Sequence, residues 1–535
     1  MRLSEAFADH GRRDYLVSAG YHTPNGPLHL GHIGGPFLHG NAVARHLESL
    51  GNQVSQITGT DAHESYVLLS AVLQDCAPRA VSRPQHAAAA TVLTGFGMRQ
   101  AAFADSGAAP LADEYVRHSQ EIARRLVDGG RTVVREVPMM RSRSTGRVIV
   151  GPFAVGGCPA CGAEAAGTCC EECGVWFGPE LLRAPRPRLP VDDRTEPIAV
   201  PTVYLRMADT FHRTELARHF PQRYLQLADA YLAVNGPWLP LSHPLGWGVP
   251  WQGVAGLPEG TVHTSYVRGT YASNRILKDL FHAATGLGDP FTRDSPVTTV
   301  LASGLDAILP CMFLQGLTDP GWDWQPYDHH LLNEFLLLDG EKFSTSRNHV
   351  ITARRYIDSG LSPDLFRMYA GLLSVPGQAA DFNVAAFARF CRTVLAGRLE
   401  PLVRQSLDLA AGRPGAWTTS FTSRAQLAVR GRIDALTLCD SDLSLAARQV
   451  IDWLEAGETG LAKDEPGGWL RVLCWLTAPF MPAWAQSVWE CLGLPGHPRL
   501  DGLEDSAPVQ PGRYQGFGLP GDAGILALRD PAGNP

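Results

Sequence analysis

Apolar and polar positions fall into distinct blocks along this chain, and the first blocks already outline a unit of structure. Residues 14–19, DYLVSA, are a short apolar run that predicts a buried strand, closed by the Pro-Asn-Gly-Pro turn at 24–27. From Pro36 to Leu50, apolar side chains recur at helical spacing (Phe37, Val43, Leu47, Leu50), and Gly51-Asn52 ends the run. Residues 53–58, QVSQIT, predict the next strand. Strand, helix and strand at this spacing read as a βαβ unit of a parallel, nucleotide-binding type of sheet.

Further along, residues 158–178 are rich in cysteine and interrupt the pattern as a small insertion. Residues 299–310 return to strand-and-turn character, and 334–351 read as a strand, a tight Asp-Gly turn and a Ser/Thr-rich loop. From about Ala385 the pattern is helical. Phe387, Phe390, Val394, Leu399, Leu402 and Leu407 make an apolar stripe, with Arg389, Arg392, Arg398 and Arg404 off it. The last 35 residues are rich in Gly and Pro and are expected to drape over the body or stay mobile. No internal repeat is visible.

Composition narrows the picture. At 535 residues the chain exceeds a single core and predicts two to four domains. A net charge of −7 argues against a strongly basic nucleic-acid binder, while leaving room for a local basic patch. No apolar run approaches the roughly 18–20 residues that span a bilayer, and the N-terminus lacks the apolar core of a secretory signal. The expectation is a cytoplasmic protein with no membrane partner. Five of the 11 cysteines, Cys158, Cys161, Cys169, Cys170 and Cys173, lie within sixteen residues, which in a reducing compartment points to metal rather than disulfides. Of 46 basic residues only Lys278, Lys342 and Lys463 are lysine, so a surviving Lys is a candidate for a site that needs a compact ammonium, with chance survival the alternative.

Three segments carry candidate chemistry. In HLGH (29–32), imidazole N–H groups at the mouth of a helix can grip phosphates, and Gly31 permits close approach to the backbone. Taken alone, the two histidines could equally decorate a surface turn. In GEKFSTSR (340–347), Lys342 and three hydroxyls suit a triphosphate, the plain alternative being a solvated Ser/Thr loop. The pairs Cys158-x-x-Cys161 and Cys170-x-x-Cys173 supply four thiolates suited to a structural tetrahedral Zn²⁺, with Cys169 a spare that could replace Cys170. A knuckle that has lost its metal, or a redox pair, is the alternative.

Together, HLGH and KFSTS resemble the HIGH and KMSKS signatures of class I aminoacyl-tRNA synthetases. Within that class NGPLHLGH (25–32), TGTDAHE (58–64), GLD (304–306), the Cys pairs and GQAADFN (377–383) resemble the methionyl-tRNA synthetase family, from about Tyr15 to Gly493. The resemblance implies an α/β fold: a Rossmann-type parallel sheet with an inserted zinc-knuckle domain and a C-terminal all-α bundle. The implied divisions are 1–105 and 260–330 for the two halves of the catalytic domain, 106–259 for the insertion with its knuckle at 158–173, 331–384 for the signature loop and stem-contact region, 385–500 for an anticodon-binding-like helical domain, and 501–535 for the tail. It also implies ATP, Mg²⁺ and structural Zn²⁺ as cofactors. His29, His32 and Lys342 would be catalytic. Gly31, Gly304, Asp306, Ser344 and Ser346 would bind ATP. Tyr21, Thr23, Asp61, Tyr266, Arg268 and Cys311 would line the amino-acid pocket, with Asp61 on the α-ammonium. No protein nucleophile is required, because the substrate carboxylate attacks the α-phosphate.

The chain departs from that family in two places. Tyr21 and Thr23 stand where the family has a Leu and a Tyr, Tyr266 and Arg268 align with the Trp and Asp of its YVW.DA stretch, Pro310-Cys311 replaces its Phe-His pair, and Arg268 would suit a second polar group on the substrate or a protein carboxylate. The family's anticodon-reading positions align with Glu400, Arg404 and Thr459, of which only Arg404 matches. The expectation is therefore a ligase that adenylates an amino acid and passes it to a small-molecule acceptor in specialised metabolism, with a separate partner enzyme possible. A divergent tRNA-charging enzyme is the alternative, and an inactive binding or regulatory paralogue a minor one.

Overall fold

The computed structural model describes residues 12–170, 172–189, 195–207, 213–315, 322–343, 349–412, 417–504, 512, 514–519 and 522–529. Its catalytic core is built on strands β1 (Asp14–Ala19), β2 (Gln53–Thr60) and β3 (Ala102–Asp105), with helix α1 (Leu38–Ser49) crossing from β1 to β2. Helix α2 (Leu111–Asp128) follows, then two long strands, β4 (Thr132–Ser142) and β5 (Thr195–Arg206), and helix α3 (Ser265–Thr285). The chain then returns to the core through β6 (Val297–Gly304), helix α4 (Leu305–Gln315) and β7 (His329–Asn333). The five core strands run parallel in the order β7-β6-β1-β2-β3. Asp14 of β1 stands beside Val297 of β6 on one side and Gln53 of β2 on the other. Strands with both faces covered need near-continuous apolar sequence, and from Tyr15 to Ala19 every side chain of β1 is buried.

This order makes β1 the switch point. The chain leaves β1 toward β2 and β3 on one side and later fills in β6 and β7 on the other. The loops at the C-terminal ends of β1 and β6 therefore diverge and leave a crevice between them.

Two sequence expectations change in detail. The expected helix from Pro36 is regular only over α1. Before it, Leu30–His32 is one helical turn, and Ile33–Phe37 is a widened turn broken at Gly35, whose ψ of −119° is not helical. The strand-and-turn reading of 299–310 holds for the strand only. The rest is helix α4, with Pro310 in its interior and Ile308, Leu309, Cys311 and Met312 buried.

In the insertion, β4 and β5 pair antiparallel from Thr132 opposite Leu205 to Ser142 opposite Thr195. The cysteine segment hangs between them on a small three-stranded sheet formed by Ala154–Gly157, Glu164–Ala166 and Arg183–Pro187. After the core come β8 (Leu336–Leu338) and the two-residue strand β9 (Glu341–Lys342), joined by a turn in which Asp339 (φ 50°) and Gly340 (φ 79°) are both left-handed.

The C-terminal part is helical: α5 (Pro363–Leu373), α6 (Glu400–Ala410), α7 (Leu443–Ala456), α8 (Pro466–Thr477) and α9 (Pro482–Cys491) are its main pieces. The stripe read from sequence packs inward, with Phe387, Leu399 and Leu407 buried and Phe390, Val394 and Leu402 half-buried. Trp453 and Trp469 exchange hydrogen bonds, each indole N–H donating to the other's carbonyl at 3.1 and 3.0 Å. Arg367 ties this bundle to the core. It is wholly buried and donates to the carbonyls of Phe96, Pro479 and Phe480. No helix among the described residues is long and apolar enough to cross a membrane.

Candidate active site

The crevice at the C-terminal ends of β1, β2 and β6 opens into a cavity of about 710 Å³. It brings together His29, Gly31 and His32 after β1, Asp61 after β2, Gly304 and Asp306 at the end of β6, and Lys342 on β9. Tyr21, Thr23, Tyr266, Arg268 and Cys311 line it as well. Every candidate pocket and phosphate residue named from sequence that lies among the described residues is thus on one cavity. Ser344 and Ser346 lie outside the described residues.

The histidines are ordered by each other. The backbone N–H of His29 donates to His32 Nδ1 at 3.2 Å, so the ring proton of neutral His32 sits on Nε2. The centres of the two rings lie 3.8 Å apart, and Phe343 stacks on His29. A Cβ at Gly31 would sit 2.9 Å from His29 Nδ1 and 3.2 Å from Phe343, so glycine is needed for the imidazole itself to fit. Burial pushes His32 down to about 4, helped by the charge of Lys342, and holds His29 well below the usual imidazole range. Both are neutral N–H donors at pH 7, which suits them to polarising phosphate oxygens as charge develops. The ammonium of Lys342 lies 4.4 Å from the centre of the Phe335 ring, on the same wall.

The end of the cavity that holds Asp61 and Arg268 is polar. Asp61 is buried, and Arg268 Nη1 donates to its Oδ2 at 2.9 Å while Tyr115 O–H donates at 2.7 Å. Arg268 Nη2 stands 3.4 Å from Glu64 Oε1. Of the two partners open to Arg268 in the sequence, a protein carboxylate is the one it has. Tyr266 is buried and meets Trp176 edge-on at 4.6 Å. Cys311 is buried beneath the floor, and burial pushes its thiol up to about 12.

Sequence reasoning missed Glu64, Tyr115, Trp176, His243, Trp247 and His263. Glu64 lay in the quoted TGTDAHE stretch, directly after His63, and was available as a signal. The others come from elements whose approach to the cavity only the fold reveals.

The cysteine cluster fits a metal. The Sγ atoms of Cys158, Cys161, Cys170 and Cys173 all lie within 4.8 Å of one another, with Cys158–Cys173 at 3.8 Å and Cys161–Cys170 at 3.6 Å. Four thiolates about 2.3 Å from a tetrahedral Zn²⁺ are separated by about 3.8 Å. Each pair sits in the same turn: Gly162 N–H donates to the Cys158 carbonyl and Gly174 N–H to that of Cys170, with φ of 80° and 71° at the two glycines. Cys169 is outside the cluster and lines the cavity instead, and Cys170 is the fourth sulfur of the group.

On the helical domain, the positions aligned with anticodon reading are covered or paired. Phe517 N–H donates to Glu400 Oε1, and the Arg404 guanidinium lies 5.1 Å from the centre of the Tyr514 ring. Trp484 anchors this strip by donating to Tyr514 Oη at 2.7 Å and stacking on Phe517. Thr459 is exposed, with its hydroxyl donating to the Ala456 carbonyl. The described part of the C-terminal tail therefore drapes over the body.

These features agree with comparisons to known proteins. The family model described as tRNA synthetases class I (M) matches residues 15–250 and 307–407. The methionine–tRNA ligase of Saccharopolyspora erythraea is 26% identical over 89% of this chain and 87% of its own length. That of Haloquadratum walsbyi is 23% identical over 93% of this chain and 73% of its own. Among solved structures, Mycobacterium tuberculosis methionyl-tRNA synthetase in complex with methionyl-adenylate superposes with a TM-score of 0.67 at 17% identity, covering 95% of this chain and all of that one, a likeness of fold. With the family match spanning more than half its length, and with the parallel sheet, His29, His32 and Lys342 on one cavity and the four-cysteine cluster in place, the chain belongs to the class I aminoacyl-tRNA synthetases of the methionyl group, ATP-dependent ligases that form aminoacyl adenylates.

Proposed function

We propose that this protein activates an amino acid as its adenylate in the β1–β6 cavity and transfers it to a tRNA that it does not select by anticodon. In this reading His29 and His32 donate to the phosphates, Lys342 neutralises the leaving pyrophosphate, and Gly304 and Asp306 take the ribose. Gly31 and the signature-loop residues Ser344 and Ser346 complete the ATP site, with Mg²⁺ accompanying the nucleotide. Tyr21, Thr23, Tyr266 and Cys311 shape the amino-acid end.

The observation that carries the acceptor reading is the strip 514–519 lying on Glu400 and Arg404. A base stacked or hydrogen-bonded there would have to displace the protein's own chain and meet the carboxylate of Glu400. The name these relatives share, matched over 87% and 73% of their lengths, supports tRNA as the acceptor class. The small-molecule acceptor, the separate partner enzyme and the place in specialised metabolism expected from the altered pocket have no observation in their favour beyond the sequence departures themselves.

A second reading, anticodon-dependent charging with methionine, is favoured by those same names. The test is ATP–pyrophosphate exchange over the twenty standard amino acids, followed by charging of methionine tRNA with its native and with a changed anticodon. Equal charging of both supports the proposal. Charging of the native form alone establishes the second reading. Exchange with no charging of any tRNA, and an adenylate that hydroxylamine traps, reopens the small-molecule acceptor.

A further inference from the structure

Asp61 is the carboxylate expected to meet the substrate ammonium, yet it already accepts three hydrogen bonds from the protein. Oδ1 accepts from the backbone N–H of His63 at 2.9 Å, and Oδ2 accepts from both Tyr115 O–H and Arg268 Nη1. Tyr115 Oη in turn accepts from Arg268 Nη1 at 2.9 Å, which closes a three-membered ring of contacts around Oδ2. The side chains of Asp61 and Arg268 are only 7% and 2% exposed.

The charges in this corner do not cancel. Two carboxylates, Asp61 and Glu64, face one guanidinium. The nearby imidazoles add no cation. Burial holds His63 and His243 down at about 4 and His263 at about 3, and Arg268 depresses all three further. One negative charge is left over. Glu64 is where it is accessible, because its side chain is 17% exposed, lines the cavity, and touches Arg268 only at 3.4 Å. Burial and the neighbouring Asp61 push its carboxyl up, against the opposing pull of Arg268 and of hydrogen bonds from Ser265 and the Ser65 backbone. Arg268 Nε, buried and without a hydrogen-bond partner among the described residues, lies in the same corner.

We propose that Glu64, rather than Asp61, is the residue that holds the substrate's α-ammonium, and that Asp61 is a positioning residue that fixes Arg268 and Tyr115. This rests on the reading that an amino acid is activated here. The substrate class is an α-amino acid with a free, protonated amine. An α-hydroxy acid or N-acylated analogue leaves the surplus charge of Glu64 unpaired and is rejected.

The experiment compares Glu64→Gln with the wild-type protein by ATP–pyrophosphate exchange, using whichever standard amino acid the wild type activates best, and by thermal melting without ligand. The expected result is a KM for the amino acid raised at least tenfold, a KM for ATP within twofold of wild type, and a higher ligand-free melting temperature, since the variant removes an uncompensated buried charge. An unchanged amino-acid KM overturns the proposal while wild-type exchange keeps the broader reading intact. If the wild type exchanges with no standard amino acid, the broader reading fails, and the melting temperature decides. A rise upholds the surplus charge at Glu64, and a fall shows that Glu64 serves only to neutralise Arg268 and overturns the proposal.

Discussion

Phe343 lies parallel to His29, with ring centres 5.0 Å apart and an 8° angle between the planes, so two segments more than 300 residues apart form one surface. The contact places Lys342 beside the histidines and contributes to keeping both of them neutral. It also ties the first signature to the strand that carries the second.

From this arrangement, His29→Ala and His32→Ala should each slow adenylation by about 10²–10³, the size of a lost transition-state donor. ATP–pyrophosphate exchange measures it, and melting curves control for folding. Wild-type exchange in both variants would remove these residues from the mechanism.

The knuckle reaches the same cavity through Trp176, which donates to the Asp306 carbonyl at 3.0 Å and packs on Tyr266. One Zn²⁺ per chain is expected by elemental analysis of protein purified without added metal. Cys161→Ser should lose it and loosen the insertion, while exchange falls less than in the histidine variants because the phosphate-binding wall is untouched. Metal-free but fully folded native protein would contradict this.

Stability should fall steeply on acidification below pH 6.5. Burial lowers His32, His39 and His63 to about 4, and His22 and His330 to about 3. The unfolded chain therefore binds more protons than the folded one once the pH drops below about 6.5. Each such histidine contributes stability that is fully present above that pH and is lost progressively toward its folded value, at up to about 1.4 kcal/mol per pH unit. Urea midpoints at pH 7.5, 6 and 5 check the trend, and a flat profile would show that the rings are not buried neutral.

Arg367→Met should destabilise the junction of bundle and core by at least about 2 kcal/mol, because three buried carbonyls lose their donor together. Burial already pushes Arg367 down to about 9, so its charge is held at a cost that only those contacts and nearby Asp364 offset. Denaturant unfolding followed by tryptophan fluorescence reports it, since Trp484, Trp475 and Trp469 lie in the bundle.

Much of this protein was legible in its chain order. The strands β1 and β2, the helix between them, the Cys-x-x-Cys pairs and the apolar stripe from Phe387 to Leu407 all rest on local spacing, and local spacing is set by backbone geometry that neighbouring residues share. The grouping of His29, Asp61 and Asp306 was also accessible, because each follows a strand of the parallel sheet and parallel strands gather their C-terminal loops at one end, whereas Lys342 arrives on β9 of a separate small sheet. The partner of Arg268 was not accessible. Asp61 lies 207 residues away and Tyr115 153 residues away, and only the packing of α3 against β2 and α2 brings them within hydrogen-bond reach. The same holds for Glu400 beneath Phe517, where a carboxylate aligned with an anticodon-reading position proves to be an acceptor for the chain's own tail. Side chains choose partners by proximity in space, and a buried charge takes whichever counter-charge the fold delivers.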